Sequence, residues 1–145
     1  MRVMPRLANE NLYVSQDLLN KITNFVNISY FVADDNLVSY FGTAYSNIKN
    51  LRFIKNTGDM PSDKLKVKFE TMSSFGTTDI GVYFDSELSP RKTLSTIGTT
   101  FELLSGIINI NDLLDGIHTI NIDLRNTYGG TSYQRLTEIY IINTW

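Results

Sequence analysis

The sequence of 145 residues predicts an all-β protein built as an antiparallel β-sandwich, and its second half carries the main evidence. Residues 118–125 place His118 and apolar side chains at even positions and polar ones at odd positions, the period of a strand with one buried face. Asp115-Gly116 before this segment and Tyr128-Gly129-Gly130 after it are turn signals. The β-branched segment from Thr99 to Ile110 and the closing apolar strand from about Tyr133 to Ile142 provide neighbouring strands.

Two earlier segments show the same alternation. In Lys64 to Glu70 the pattern predicts an inward row of Leu65, Val67 and Phe69 and an outward row of Lys64, Lys66 and Lys68. The lysines block pairing at a sheet edge, or they contact an acidic partner or anionic glycan. Asp79 to Asp85 is predicted as a strand with Ile80, Val82 and Phe84 on one face. About seven or eight strands follow Leu37, a number that suits a sandwich with Greek-key connections.

The first third of the chain has a less regular pattern. Residues 1–12 are predicted to form an N-terminal arm, and residues 13–145 a single β-sandwich domain. Within 13–31 we expect one or two helical turns followed by a strand. The arm is either a frayed terminus or a contact with a neighbouring subunit through apolar side chains, which are those of Met1, Val3, Met4 and Leu7.

Two loops interrupt the N-terminal half. Residues 56–63 contain Gly, Pro and two Asp, and we expect this loop to separate the irregular first third from the regular sandwich. Residues 33–36 hold three oxygen-bearing side chains in a row, which suggests either a calcium site or an Asx-type turn. The turn is favoured, because no second acidic cluster has a spacing that promises the six to eight oxygens calcium requires.

Composition excludes several functional classes. The chain has no cysteine and one histidine, so disulfides, thiolate metal sites and multi-histidine metal sites are not expected, and no cofactor is predicted. A formal net charge of −2 without a basic stripe argues against a nucleic-acid partner. No apolar run has the length of a membrane span, and the N-terminus lacks the apolar core of a secretory signal.

Catalysis is not predicted. The candidates for paired catalytic carboxylates are Asp79 with Asp85 and Asp112 with Asp115, but their positions are those of turn residues and outward strand residues. His118 falls on the apolar face of its strand next to a turn, and we expect a partly buried histidine with satisfied hydrogen bonds rather than a ligand. The chain is therefore expected to be a binding or structural protein and not an enzyme.

Aromatic side chains make up 12% of the sequence and are the strongest candidates for recognition. Residues 37–54 concentrate four of them, Tyr40, Phe41, Tyr45 and Phe53, which can form core, a protein interface or a platform for stacking sugar rings. We predict partner contacts at Tyr13, Tyr40 and Tyr45, together with the arm. Tyr128 and Tyr133 are the further candidates for glycan stacking, with Tyr40 and Tyr45 as alternatives for that role.

From about residue 64 onward the chain resembles the jelly-roll β-sandwich modules found in virion proteins of tailed bacteriophages. The resemblance rests on the order of several short signals, and most on Asp115-Gly116-Ile117-His118-Thr119-Ile120 followed by Leu124, a glycine pair and a closing apolar strand. Ser95-Thr96, Thr99-Thr100-Phe101 and Asp112-Leu113 precede them. Modules of this kind occur in tail fibres, baseplates, head fibres and capsid decoration proteins, and the motif carries no catalytic residues.

The resemblance implies a structural protein of a bacteriophage virion, assembled in a bacterial cytoplasm. Its expected partners are the major capsid protein or a tail protein, bound through the N-terminal region, and other copies of the chain. Trimers are the commonest arrangement of such modules at three-fold positions, although the sequence does not specify a number. Because related sandwiches serve as carbohydrate-binding modules, the alternative is a carbohydrate- or receptor-binding module used in host adsorption.

Overall fold

The fold is known from a computed structural model that describes residues 32–60 and 62–142. These residues contain nine β-strands and no helix, which confirms the predicted all-β class. In chain order the strands are β1 (Val32–Asp34), β2 (Val38–Phe41), β3 (Ser46–Lys55), β4 (Lys64–Ser73), β5 (Thr78–Phe84), β6 (Lys92–Thr96), β7 (Glu102–Asn109), β8 (Gly116–Asn126) and β9 (Thr131–Ile141).

The strands form two antiparallel sheets packed as a sandwich. In the first sheet β9, β4 and β7 are neighbours in that order, and β1 and β2 both pair with the outer edge of β9. The second sheet has the order β3-β8-β5-β6. Among the described strands, β5 and β6 form a hairpin within one sheet, whereas each link from β2 to β5 and from β6 to β9 crosses to the opposite sheet. The predicted sandwich is therefore confirmed.

The core lies between the sheets and follows the alternation seen in the sequence. On β4, and on β8 from Ile120 onward, every second side chain is buried and the others are at least partly exposed, whereas on β5 every residue except Tyr83 is buried. Burial of these apolar side chains is the main favourable contribution to folding. The largest buried apolar residues are Phe53, Leu65, Phe69, Ile80, Phe84, Ile110, Ile120, Ile122, Leu124, Ile139 and Ile141.

The described part of the first third of the chain is regular. Residues 32–55 form β1, β2 and β3, and β3 pairs with β8 along its whole length. The loop after β3 therefore connects two strands of one sandwich. A β-bulge between Asn47 and Lys49 shifts the register, so the sequence of β3 does not alternate cleanly.

Two lysines on β3 point into the sandwich. Lys49 is buried with its Nζ 3.6 Å from Asp34 and 3.4 Å from the Thr137 hydroxyl, and burial lowers the pKa of Lys49. Lys55 donates to the carbonyl oxygens of Ile110 and Leu113 at 2.7 and 2.6 Å. The ammonium group of Lys55 therefore fixes the β7–β8 loop in the way a small bound cation would.

The loops gather at two ends of the sandwich that differ in charge. The uncharged end comprises the loops 42–45, 74–77, 97–101 and 127–130, which contain no Asp, Glu, Lys, Arg or His. The acidic end comprises the loops 56–63, 85–91 and 110–115, which contain six acidic residues and one arginine. Backbone and side-chain hydrogen bonds join the three acidic-end loops, for example from Ile110 to Asp63 and from Arg91 to Asp112.

Several predictions concern residues near the N-terminus. The arm at 1–12 and the expected helical turns and strand at 13–31 lie outside the described residues. At residues 34–36 the backbone N–H of Asn36 donates to a carboxylate oxygen of Asp34 at 2.8 Å, so the predicted Asx-type turn is present between β1 and β2. Within 32–60 and 62–142, the structure has no helix long and apolar enough to cross a membrane.

Candidate functional site

A groove of about 450 Å³ lies on the outer face of the second sheet. It is formed by outward side chains of β3, β5 and β8 and is bounded by the β5–β6 turn at the acidic end. The groove is lined by Asn47, Asn50, Tyr83, Glu87, Leu88, Asn121 and Asp123.

The register of the second sheet explains why these residues meet. Asn121 of β8 pairs with Asn50 of β3 on one side and with Tyr83 of β5 on the other, so the three side chains form one row across the sheet. Asn47 pairs with Asp123 in the next row. Outward positions on adjacent strands lie about 5 Å apart, which brings amides, a carboxylate and a tyrosine ring within reach of one small ligand.

Tyr83 is held in place by a packed group of side chains. Its ring meets the ring of Tyr45 edge-to-face, with centroids 6.1 Å apart and an angle of 83°. Gly81 leaves room for both rings, because a Cβ at Gly81 would lie 3.0 Å from Tyr83 and 3.3 Å from Tyr45. The Arg125 guanidinium lies 4.3 Å from the centre of the Tyr45 ring and donates to Asp79 at 2.8 Å.

The groove offers hydrogen-bonding atoms that the protein itself does not use. Asn47 donates to one carboxylate oxygen of Asp123 at 3.1 Å, and Asn121 donates to the carbonyl of Asp85 at 2.8 Å. Within the described residues, the second oxygen of Asp123, the amide oxygen of Asn121 and the side chain of Asn50 have no protein partner. Burial, and then the nearby negative charge of Asp123, raise the pKa of Tyr83, so its hydroxyl stays protonated and can donate.

The wall at the acidic end is built by the β5–β6 turn. Asp85 adopts a left-handed conformation with φ of 54°, and its carboxylate accepts hydrogen bonds from the Thr119 N–H at 3.0 Å and from His118. Glu87 accepts from the Phe84 N–H at 2.8 Å and from Arg91, so it is held by the protein. Leu88 is 97% exposed at the rim. The turn is therefore a fixed wall with an apolar tip.

His118 links two loops of the acidic end. Nδ1 lies 2.7 Å from Asp85, and Nε2 lies 2.6 Å from the carbonyl oxygen of Leu114. Both partners are acceptors, so both ring nitrogens donate in the imidazolium form. Burial alone would lower the pKa of His118, but its hydrogen bonds to Asp85 and Leu114 outweigh burial and raise it. The expected partly buried histidine with satisfied hydrogen bonds is therefore present.

The structure separates the predicted aromatic contact residues. Tyr40 packs against the core and folds over Gly42, whereas Tyr45 lies on the outer face of the second sheet. Tyr128 is 70% exposed on the β8–β9 loop, and Tyr133 lies on the outer face of the first sheet, opposite Met72. Met1, Val3, Met4, Leu7 and Tyr13 lie outside the described residues.

The carboxylates considered for catalysis each have a separate partner. Asp79 pairs with Arg125, Asp85 with His118, Asp112 with Arg91, and Asp115 accepts from the hydroxyl and N–H of Thr57. None of these four residues lines the groove. Across 32–60 and 62–142, no group of three or more His, Asp or Glu side chains has the arrangement of a metal site.

Sequence reasoning did not identify Asn47, Asn50, Tyr83, Asn121 and Asp123 as a site. The available signal was the parity of β5 and β8, which places Tyr83, Asn121 and Asp123 on outward positions. Asn47 and Asn50 could not be added from the sequence, because the bulge in β3 and its pairing with β8 determine their positions.

Comparisons with known proteins identify the fold. No family model matches the sequence, and no curated protein matches it. Among solved structures, the insecticidal delta-endotoxin Cry8Ea1 of Bacillus thuringiensis matches with a TM-score of 0.53 and 17% identity over 74% of this chain, and this chain spans only 20% of that one.

Two smaller proteins match over nearly their whole length. The CBM36-1 domain of a multidomain xylanase from the hindgut metagenome of Trinervitermes trinervoides has a TM-score of 0.51 and 12% identity, with 79% of this chain and 98% of that chain covered. The PRD1 vertex protein P5 has a TM-score of 0.50 and 11% identity, with 78% and 96% covered. At these identities the likeness shows the fold alone, a jelly-roll-like β-sandwich.

Proposed function

We propose that this protein is a glycan-binding β-sandwich and that its ligand lies in the groove on the outer face of the second sheet. The observation that carries the proposal is the row of Asn50, Asn121 and Tyr83, in which a braced aromatic ring lies beside hydrogen-bonding atoms without protein partners. A sugar ring presents an apolar C–H face to an aromatic ring and hydroxyls to amides and carboxylates. The groove offers both kinds of contact.

The charges in the groove favour a neutral glycan. Asp123 and Glu87 are the acidic residues of the lining. The nearby Arg125 does not line the groove, because its guanidinium packs on the Tyr45 ring and forms an ion pair with Asp79. A uronic acid or sulfated sugar would bring a second negative charge close to the Asp123 carboxylate, which costs energy in a partly desolvated groove. The free acceptor oxygens of Asp123 and Asn121 match sugar hydroxyls, which donate. The CBM36-1 domain, a carbohydrate-binding module with the same fold, supports the same class of ligand.

The direct test is affinity electrophoresis of the full-length chain in gels containing soluble neutral polysaccharides, such as xylan, β-glucan or galactan. At least one should retard the wild-type protein. The variant Tyr83→Ala should reduce the association constant more than about tenfold, and Asn50→Ala about fivefold, the loss of one hydrogen bond. Tyr140→Ala and Asn109→Ala are matched controls outside the groove and should bind like the wild type.

Two outcomes would reject this proposal. One is that no neutral polysaccharide retards the wild type. The other is that the groove variants and the matched controls bind equally, which would place any glycan contact on another surface. Retardation by acidic polysaccharides that is stronger than by neutral ones would reject the assignment of ligand class.

The second proposal is a structural role in a bacteriophage virion, as the sequence resemblance implies. It is favoured by the exposed apolar side chains at the uncharged end and by the match to nearly the whole length of a vertex protein of the same fold. Both roles are compatible in a particle that binds a host surface. Mass spectrometry of purified particles from cells that carry the coding sequence should detect peptides of this chain. Particles that lack the chain while the cells contain it would reject this role.

A further inference from the structure

The uncharged end is an unusual surface for a chain in which 19% of the residues are charged. Its four loops have the sequences GTAY, SFGT, IGTTF and TYGG, which are made of small, hydroxyl-bearing and apolar residues. The loops belong to four separate parts of the chain, and the fold brings them together. The loops without charged residues therefore come together at one end of the molecule, where Glu102 from β7 lies beside Gly98 and Arg135 from β9 lies over the Phe101 ring.

Hydrogen bonds lock the four loops into one surface. The backbone N–H groups of Ser73 and Ser74 donate to the carbonyls of Gly98 and Thr131, at 2.8 and 2.9 Å. In the same way Asn126 donates to Gly42 at 2.8 Å, and Thr127 donates to Thr77 at 2.9 Å. This surface is therefore organised before it meets a partner, which lowers the entropy that binding would cost.

Four large apolar side chains project from this surface. Phe41 ends β2, and each of the other three lies on a different loop. Single exposed apolar residues are common on proteins, but a group at one end, surrounded by polar uncharged residues, is typical of an interaction site. Their exposed fractions are 71% for Phe41, 66% for Phe75, 77% for Ile97 and 70% for Tyr128.

The charge distribution indicates which partner fits. The chain carries a formal net charge of −2, and the acidic end lies opposite the uncharged end. Two copies that approach through their uncharged ends keep their acidic ends as far apart as possible, so their repulsion is smallest in this orientation. The loops themselves contain no charged residue, and the two flanking charges that lie on them, Glu102 and Arg135, are of opposite sign, so this end has no excess charge for anionic lipid headgroups or for a basic partner.

The polar atoms of this end also suit a second copy. Threonine and serine hydroxyls both donate and accept, so a surface rich in them can pair with an identical surface. A surface patch that contacts its own copy produces a two-fold, isologous dimer. We propose that the uncharged end is a homodimerisation surface, on which Phe41, Phe75, Ile97 and Tyr128 of one copy pack against the same patch of another.

Size-exclusion chromatography with multi-angle light scattering tests this proposal on the full-length chain between about 5 and 500 μM. The wild type should elute as a dimer at the higher concentrations, in 0.1 M and in 1 M NaCl alike, because apolar contacts are not screened by salt. The double variant Phe75→Ser/Tyr128→Ser should be monomeric at all these concentrations. Its melting temperature should stay close to that of the wild type, because both side chains are largely exposed.

The matched control is Leu88→Ser/Leu114→Ser, which removes two exposed apolar side chains from the acidic end, where Leu88 is 97% and Leu114 82% exposed. This variant should dimerise like the wild type. A monomeric wild type at 500 μM would overturn the proposal, as would a trimer or a dimer that survives the Phe75/Tyr128 substitutions. A monomer that sediments with neutral phosphatidylcholine vesicles would show that a lipid surface, and not a second copy, covers this end.

Discussion

The two ends of the sandwich are stabilised by different interactions. At the uncharged end, neutral hydrogen bonds centre on Asn126, whose amide donates to Ser73 Oγ and the Phe75 carbonyl and accepts from the N–H groups of Tyr128 and Gly130. At the acidic end, charged groups hold the loops together, for example the Lys55 ammonium group and the Arg91–Asp112 ion pair. High salt or a change of pH should therefore weaken the interactions at the acidic end and leave those at the uncharged end unchanged.

The largest effect is expected from Asn126→Ala. Asn126 is fully buried, and its removal leaves several buried donors and acceptors at the uncharged end without partners. The free energy of unfolding should fall by about 3 kcal/mol, equally at low and high salt. Urea denaturation at 0.1 M and 1 M NaCl measures this loss. Asn36→Ala, at an exposed turn, should have almost no effect, and an equally small loss for both variants would contradict this account of the uncharged end.

A smaller loss is expected from Lys55→Met, which keeps the side-chain length and removes the ammonium group. The carbonyls of Ile110 and Leu113 would lose their common donor, and the unfolding free energy should fall by about 2 kcal/mol. Hydrogen exchange should show faster opening of residues 110–115, with little change at residues 127–130. Lys68→Met, on the outer face of the first sheet, is the control. Equal protection of 110–115 in the two variants would argue against the bound-cation role of Lys55.

The third prediction concerns pH. The folded state raises the pKa of His118 from its ordinary value of 6.5, so its contribution to stability is complete below about pH 6.5 and is lost as pH rises through the folded pKa. Burial opposes ionisation of Asp85, but hydrogen bonds from His118 and the Thr119 N–H lower its pKa below 3.8. The contribution of Asp85 is therefore present above about pH 3.8 and is lost as pH falls through the folded pKa.

Thermal melts of the wild type and of His118→Gln from pH 4 to 9 test this pair. The difference in melting temperature should be largest between about pH 4.5 and 6 and should shrink as the pH rises through the raised pKa of His118. The loops of the uncharged end contain no Asp, Glu, His, Lys or Arg, so exchange protection at residues 74–77 should not follow this profile. A difference in melting temperature that is constant with pH would show that the imidazolium is not the stabilising form.

The smallest effect is expected from Arg91→Met. Arg91 donates to both carboxylate oxygens of Asp112 at 2.7 and 2.9 Å and also to Glu87, but the Asp112 carboxylate is exposed and that of Glu87 is partly exposed, and such ion pairs contribute little. The melting temperature should fall by no more than a few degrees in 0.1 M NaCl, and the difference should disappear in 1 M NaCl. A loss that is as large in 1 M as in 0.1 M NaCl would show that packing of Arg91 against Phe84, and not charge, is responsible.

The sequence was sufficient for the regular strands and insufficient for the site. In β4 and β8 burial follows the alternation of the sequence, and in β5 the alternation gives the inward residues Ile80, Val82 and Phe84, so the sandwich and its inward residues could be predicted. In β3 the sequence does not alternate between apolar and polar residues. A bulge shifts the register, and Lys49 and Lys55 are buried with partners distant in sequence. The groove depends on the pairing of β3, β5 and β8, and strand pairing over such distances is not visible in a local pattern.

The break between β1 and β2 has a consequence for aggregation. Both strands pair with β9 along one edge of the first sheet, and the Asx turn at residues 34–36 interrupts that edge in its middle. A long, straight edge strand exposes a row of unpaired N–H and carbonyl groups to which another chain can add as a further strand. Because the interruption divides this row into two short pieces, the edge is a poor template for cross-β association.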